Sequence, residues 1–106
     1  STTVAARVAT ARALQARRYA VLGSECLVNA AASSSLIEKA GAPDEAGARL
    51  LRDAAEAMRF SARAYHQILK VARTIADLDG AETTGRIHVA EAIAYRMAGE
   101  RLTAAA

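Results

Sequence analysis

The sequence predicts an all-α fold, a small bundle of four to five helices, and three observations carry that expectation. Apolar residues recur at helical spacing in four segments, and none alternates over a strand-length run. Hydrophobic residues make up 53%, much of it alanine, whereas aromatics are 4% with no Trp, a composition suited to closely packed helices. One proline and few β-branched runs add no strand signal. At 106 residues the chain is read as one domain, 1–106, with no internal repeat. A domain of that size buries about 60–70% of its unfolded surface, which gives an independent but modest core.

The first helix is predicted from about Thr3 to Leu22, with Val4, Val8, Ala11, Tyr19 and Leu22 on one stripe. Gln15 interrupts the stripe. A buried glutamine needs partners, so it is expected to tie the helix to a backbone turn. Gly23 and Ser24 end the segment. Residues 24–42 are the least regular part. Ser33–Ser35 cap a short helix that holds Leu36 and Ile37 and closes at Gly41. Pro43 disfavours helix at Ala42. Asp44 starts a helix to about Met58, with Leu50, Leu51, Ala54, Ala55 and Met58 inward; Gly47 weakens its first turn by up to about 1 kcal/mol.

Arg59 and Phe60 form a tight link, and Phe60 is placed to act as a hydrophobic staple. Ser61 is a good N-cap for the fourth helix, Ala62 to about Asp77. Its inward face is Tyr65, Ile68, Leu69, Ala72, Ile75 and Ala76. Arg63, His66, Gln67, Lys70, Arg73, Thr74 and Asp77 share a polar arc of roughly 120°. Asp79–Gly80 is a turn. Thr83, Thr84 and Gly85 keep the chain out of helix, and a fifth helix runs from about Arg86 to Met97 or beyond, with Ala90, Ile93, Ala94 and Met97 inward. The alanine tail is expected to fray.

The net charge is +3, unevenly spread. Residues 1–24 hold Arg7, Arg12, Arg17 and Arg18 and no acid, while the rest holds ten basic and eleven acidic residues. The first helix therefore faces nucleic acid, an acidic partner or simply solvent. Cys26 is alone, so no internal disulfide is possible, and its apolar neighbours predict an inert buried thiol. Two distant histidines make no metal site. No apolar run approaches a membrane span and there is no signal peptide, so no membrane partner is expected and the cytoplasm is the default location. The chain begins without Met and mid-pattern, which points to a piece of a longer protein.

Arg63 is the leading site residue. The first turn of helix four has no acid and carries this arginine at about its second position. That placement opposes the helix dipole by roughly 0.3–1 kcal/mol. An anion beside the free amides would reverse the sign, and phosphate binds readily at such termini. The plainer alternative pairs Arg63 with Glu56 one helix back. His66 lies one turn on, either as an added donor or as a partly exposed histidine bonded to a neighbour. Lys70 and Arg73 extend the arc as auxiliary phosphate or subunit contacts or as a solvated face, and Asp77 stands four after Arg73, giving a helix-surface pair of roughly 0.3–0.5 kcal/mol. Near the start of helix five, His88 is read as packing or capping. Glu91 and Tyr95 are spaced for a local hydrogen bond, and with Arg96 are read as structural.

The run S-A-R-A-Y-H-x-I-L-K-V-A-R-T-I-A-D-L, followed by H-V-A-E-A-x-x-Y-R, resembles the C-terminal domain of magnesium-chelatase-like AAA+ ATPases, and most of all their bacterial ComM/YifB branch. The likeness is dense over Phe60–Arg96 and thinner upstream, where Arg12, Gln15, Arg18 and Asn29 still match. Leu14, Gln67 and Thr84 depart from the pattern. The resemblance implies a helical lid behind a nucleotide-binding core, with Arg63 as the second-sensor arginine that reports the γ-phosphate. It implies ATP and Mg in the parent ATPase, with no cofactor bound by this chain alone. It implies as partners the AAA+ core of the same polypeptide, a homo-oligomeric ring (a hexamer) and DNA, with a parent role in DNA processing and competence; metal insertion into a porphyrin is the work of the chelatase branch. Arg12, Gln15 and Arg18 share a broad helix face, suited to contact the core or nucleic acid. The chain has no G-x-x-x-x-G-K-[ST] loop, no acid-tipped strand and no nucleophile–base pair, so it is expected to hydrolyse nothing by itself. Two other readings stay open: a free-standing basic helical nucleic-acid-binding module and a plain oligomerisation domain.

Overall fold

In the computed structural model the chain forms α1 (Thr2–Val21), α2 (Ser34–Ala40), α3 (Glu45–Met58), α4 (Ala62–Leu78) and α5 (Arg86–Ala105), with a 3-10 turn at Asn29–Ala31. Backbone is described for residues 2–105 and side chains for residues 3–100, and among these there is no strand. The expected fraying of the alanine tail falls outside the described side chains.

Local chemistry sets the helix ends. Ser33 Oγ accepts from the Leu36 amide at 3.2 Å, Asp44 Oδ1 from the Gly47 amide at 2.8 Å, and Ser61 Oγ from the Ala64 amide at 3.1 Å. Each satisfies one of the amides that a helix start leaves without an acceptor. Two helices finish in a left-handed glycine with the paired bonds of a Schellman motif. After α1, Ser24 N donates to Tyr19 O and Gly23 N to Ala20 O, with Gly23 at φ +75°. After α4, Ala81 N donates to Ala76 O and Gly80 N to Asp77 O, with Gly80 at φ +72°. The end of α3 follows the same plan with an arginine: Phe60 N donates to Ala55 O while Arg59 sits at φ 53°.

Helix α4 is central. It packs against α1, the 3-10 turn, α2 and α5, and α3 packs on α5. The core joins Tyr19, Ile37, Leu51, Ile68, Leu69, Ala72, Val89, Ala92 and Ile93. Each fully buried large aliphatic contributes about 1.5–3 kcal/mol.

The expected inward faces need three corrections. Side-chain burial on α1 begins at Ala11; Val4, Val8 and Leu22 are exposed, so the helix extends beyond the body that covers its later turns. Met58 is exposed at the end of α3. On α5, Ala90 and Ala94 are exposed and Val89, Ala92 and Ile93 are buried, a rotated stripe that an alanine-rich helix does not betray. Gly47 also has a purpose beyond weak propensity. A Cβ there would meet Pro43 Cβ at 3.0 Å and the Gly85 carbonyl carbon at 3.2 Å. Its absence lets the 84–85 loop close on α3, where Asp44 N donates to Thr84 O at 2.9 Å.

Candidate functional site

The capped start of α4 leaves the Ala62 and Arg63 amides without helical acceptors. Arg63 is exposed there, and its guanidinium makes no hydrogen bond or ion pair with the described residues. Glu56, the alternative partner, is exposed and makes no pair with it. Ser34, Ala62, Arg63, His66, Gln67 and Lys70 line one open groove of about 430 Å³. His66 Nε2 lies 2.8 Å from Glu38 Oε1, and its ring meets Tyr65 edge-on at 5.7 Å. It is the partly exposed, neighbour-bonded histidine of the plainer reading. Lys70 Nζ donates to Ala30 O at 3.3 Å, which leaves other ammonium hydrogens for the groove. Free amides, the positive helix end and two cationic side chains therefore converge on one concave surface, an arrangement suited to a phosphate oxygen.

Three turns along the same helix the polar arc turns inward. Arg73 and Asp77, expected on a solvated face, are 4% and 2% exposed. Their pairing is part of a buried polar network and no surface i,i+4 contact. Asp77 receives a two-pronged fork from Arg18, whose Nη2 donates to Oδ1 at 2.5 Å and Nη1 to Oδ2 at 3.0 Å. Arg73 donates to the same Oδ1 from Nε at 3.1 Å and Nη2 at 2.9 Å. The remaining Arg73 bonds run to Glu82 O at 3.1 Å and Ala81 O at 2.9 Å, fastening the loop after α4. Its guanidinium is thus occupied within the domain rather than presented to phosphate or a subunit.

Asn29 is the hub of this network. Its Nδ2 donates to Thr74 Oγ1 and to Asp77 Oδ2, each at 3.0 Å. Its Oδ1 accepts from Tyr19 Oη at 2.7 Å and Arg18 Nη1 at 3.4 Å. Its backbone amide donates to Gln15 Oε1 at 2.9 Å, the tie to a backbone turn expected of that glutamine. Burial pushes the Asp77 carboxyl up, but the bonds from Arg18 and Asn29 and the charge of Arg73 more than offset it and hold it below the ordinary value. Burial also pushes Arg73 down and Tyr19 up, each toward its uncharged form.

The basic helix is correspondingly less free than its sequence implies. Arg18 is held by Asp77, and Arg7 donates to Leu78 O at 3.1 Å and lies 3.8 Å from Asp79. Arg12 and Arg17 remain exposed, with no ion pair among the described residues. Of the face formed by Arg12, Gln15 and Arg18, only Arg12 is turned outward.

His88 performs the capping role read for it. Gly85 N donates to Nδ1 at 2.9 Å, so Nε2 carries the hydrogen that reaches Asp79 Oδ2 at 3.2 Å. Cys26 is partly buried, its Sγ 3.1 Å from Val28 O. The expected Glu91–Tyr95 bond is absent: Tyr95 is 72% exposed and makes no bond with Glu91, because that face of α5 has no helix over it. Arg96 lies 5.8 Å over the Phe60 ring and pairs with Glu100 at 3.3 Å. Sequence reasoning passed over Asn29 as a site of anything beyond resemblance. The polar Gln15 in the apolar stripe of α1 was the signal that a buried partner existed.

Comparison with known proteins places these observations in a family. The family model for magnesium chelatase, subunit ChlI C-terminal, matches residues 1–96. The competence protein ComM of Haemophilus influenzae is 44% identical over 69 residues, which are 65% of this chain and 14% of that protein. The YifB protein of Salmonella typhimurium is 38% identical over 96 residues, 91% of this chain and 18% of that protein. YifB of Escherichia coli is 51% identical over 37 residues, 35% of this chain and 7% of that protein. The chain thus spans less than a fifth of the length of these relatives. No solved structure matches. Among the described residues no helix is long and apolar enough to cross a membrane.

Proposed function

The chain belongs to the magnesium chelatase ChlI C-terminal family, and from that premise we propose that it is the helical lid of a AAA+ ATPase in which Arg63 reads the γ-phosphate of bound ATP. The observation that carries this reading is an arginine at the second position of α4, exposed and without an anionic partner among the described residues, in a turn whose dipole favours negative charge. A phosphate oxygen would satisfy the orphan amides, the dipole and the guanidinium together. A cation fixed there before the reaction stabilises charge that develops on the transferring phosphoryl group. Lys70, and His66 once released from Glu38, line the same groove and would add donors. The ATP, its Mg and the catalytic groups belong to the core of the same polypeptide, and the assembled machine is a ring. Likeness to the competence protein ComM supports a parent with a role in competence, and DNA processing is the work proposed for it there.

The test is Arg63→Ala in the full-length parent. ATP turnover is expected to fall by about three to five orders of magnitude, the range associated with such a cation in phosphoryl-transfer enzymes. Thermal melting should barely move. Normal turnover in a well-folded mutant removes Arg63 from the site. The exposed Arg12 and Arg17 leave a second reading, weak electrostatic contact with nucleic acid. Tight, sequence-selective DNA binding by this domain alone would promote that reading over the lid.

A further inference from the structure

Tyr95 lies in the H-V-A-E-A-x-x-Y-R run yet is 72% exposed. It stands between two confluent hollows of about 650 Å³ and 570 Å³ that run between α4 and α5. Ile68, Val71, Ile75 and Ala92 form much of their apolar lining. Two turns before Tyr95, on the same face of α5, Ile87 is 65% exposed. A large aromatic exposed where two apolar hollows meet marks a contact surface rather than scattered surface apolarity. Arg96, whose Nη2 pairs with Glu100, also lines the groove, and its buried Nε has no acceptor among the described residues. A buried unpaired donor destabilises the fold until an acceptor arrives.

We propose that the α4–α5 groove is the seat of another part of the same polypeptide, the nucleotide-holding core, with Tyr95 as its central anchor. Two observations select that occupant. More than four-fifths of each similar protein lies outside the span this chain covers, so a large body of the same polypeptide is there to dock. Gln67 lines the groove and also the Arg63 cavity, so whatever seats here adjoins the phosphate site. The inference rests on the lid reading for the identity of the occupant. Its chemistry is an apolar surface that carries a carbonyl or carboxylate for Arg96.

Covalent footprinting of tyrosines in the full-length parent tests it. Tyr19 is fully buried and serves as the protected reference. Tyr95 is expected to label several-fold more slowly than the same tyrosine in the unfolded protein, at every protein concentration and with or without ATP. Rapid labelling of Tyr95 overturns the proposal. Protection that appears only as concentration rises assigns the groove to a second copy and also overturns it. Tyr95→Asp should increase protease cleavage between this domain and the core, and unchanged cleavage counts against the anchor. Arg63→Ala should leave the Tyr95 footprint as it was, so failure of the phosphate reading and failure of the groove are read separately.

Discussion

Arg63 and Arg73 sit on one helix, three turns apart, and do opposite things. Arg73 is buried, and each guanidinium nitrogen donates to a carboxylate or a carbonyl. Arg63 is exposed and donates to nothing among the described residues. Burial of a charge is tolerated only with complete pairing, so an arginine like Arg73 is committed to the fold. An arginine left unpaired against a helix dipole costs a little stability and stays available for an outside anion. The difference separates the residues that hold the domain from the residue it offers.

The contrast breaks most clearly at Asp77. Its replacement by Ala strands Arg73 in the interior beside Arg18, and stability is expected to fall by about 3–5 kcal/mol. Arg63→Ala should change it by no more than about 0.5 kcal/mol, the ordinary range for surface substitutions. Denaturant titration of both variants decides whether the two arginines differ as described; equal losses would abolish the distinction.

Acid sharpens it. The Asp77 carboxyl is held below its ordinary value in the folded chain, so it takes up a proton on unfolding in mild acid. Its contribution is fully present above the ordinary carboxylate range and is lost as pH falls through the lowered folded value. Wild-type stability should therefore drop more steeply than that of Asp77→Asn between neutral and acid pH, as followed by denaturant midpoints. Parallel pH profiles would remove Asp77 from the acid response.

Smaller effects test the supports around the network. Gly47→Ala puts a Cβ 3.0 Å from Pro43 and 3.2 Å from the Gly85 backbone. Despite better helix propensity it is expected to cost about 1–2 kcal/mol by melting, because neither neighbour is the tip of a flexible side chain. Thr84 is fully buried and its Oγ1 has no partner among the described residues. Thr84→Val, which removes that hydroxyl at constant shape, should raise stability by about 1 kcal/mol. Arg59→Gly, which relieves a left-handed arginine, should raise it by up to about 1 kcal/mol. A melting temperature lowered by either change would refute the corresponding account.

The helix ends were legible in the sequence because caps are local chemistry. Ser33, Asp44 and Ser61 act within three residues of themselves, and Gly23 and Gly80 supply left-handed turns on the spot. Arg63 was legible for the same reason: its position relative to the Ser61 cap is a matter of counting. The fate of Arg73 and Asp77 was not. A polar arc looks the same whether it faces water or a second helix, and here the deciding partner, Arg18, is 59 residues away from Asp77. The inward face of α5 was misread by a rotation, since alanines at 90 and 94 fit either side of a helix. Tyr95 was read as structural from its neighbours in the motif, and only three-dimensional packing could show that no helix covers it.

The Asn29 hub has a mechanical consequence. It ties α1, the 3-10 turn and α4 near the Asp77 end of α4, whereas Arg63 lies at the other end. Helix α4 spans 17 residues, roughly 25 Å at about 1.5 Å per residue. It is a lever with a clamped fulcrum. A tilt of about 5° at that length carries the far end by roughly 2 Å. A displacement of Arg63 toward or away from an anion would therefore be transmitted as rotation of a rigid pair of helices, with α1 as the output arm.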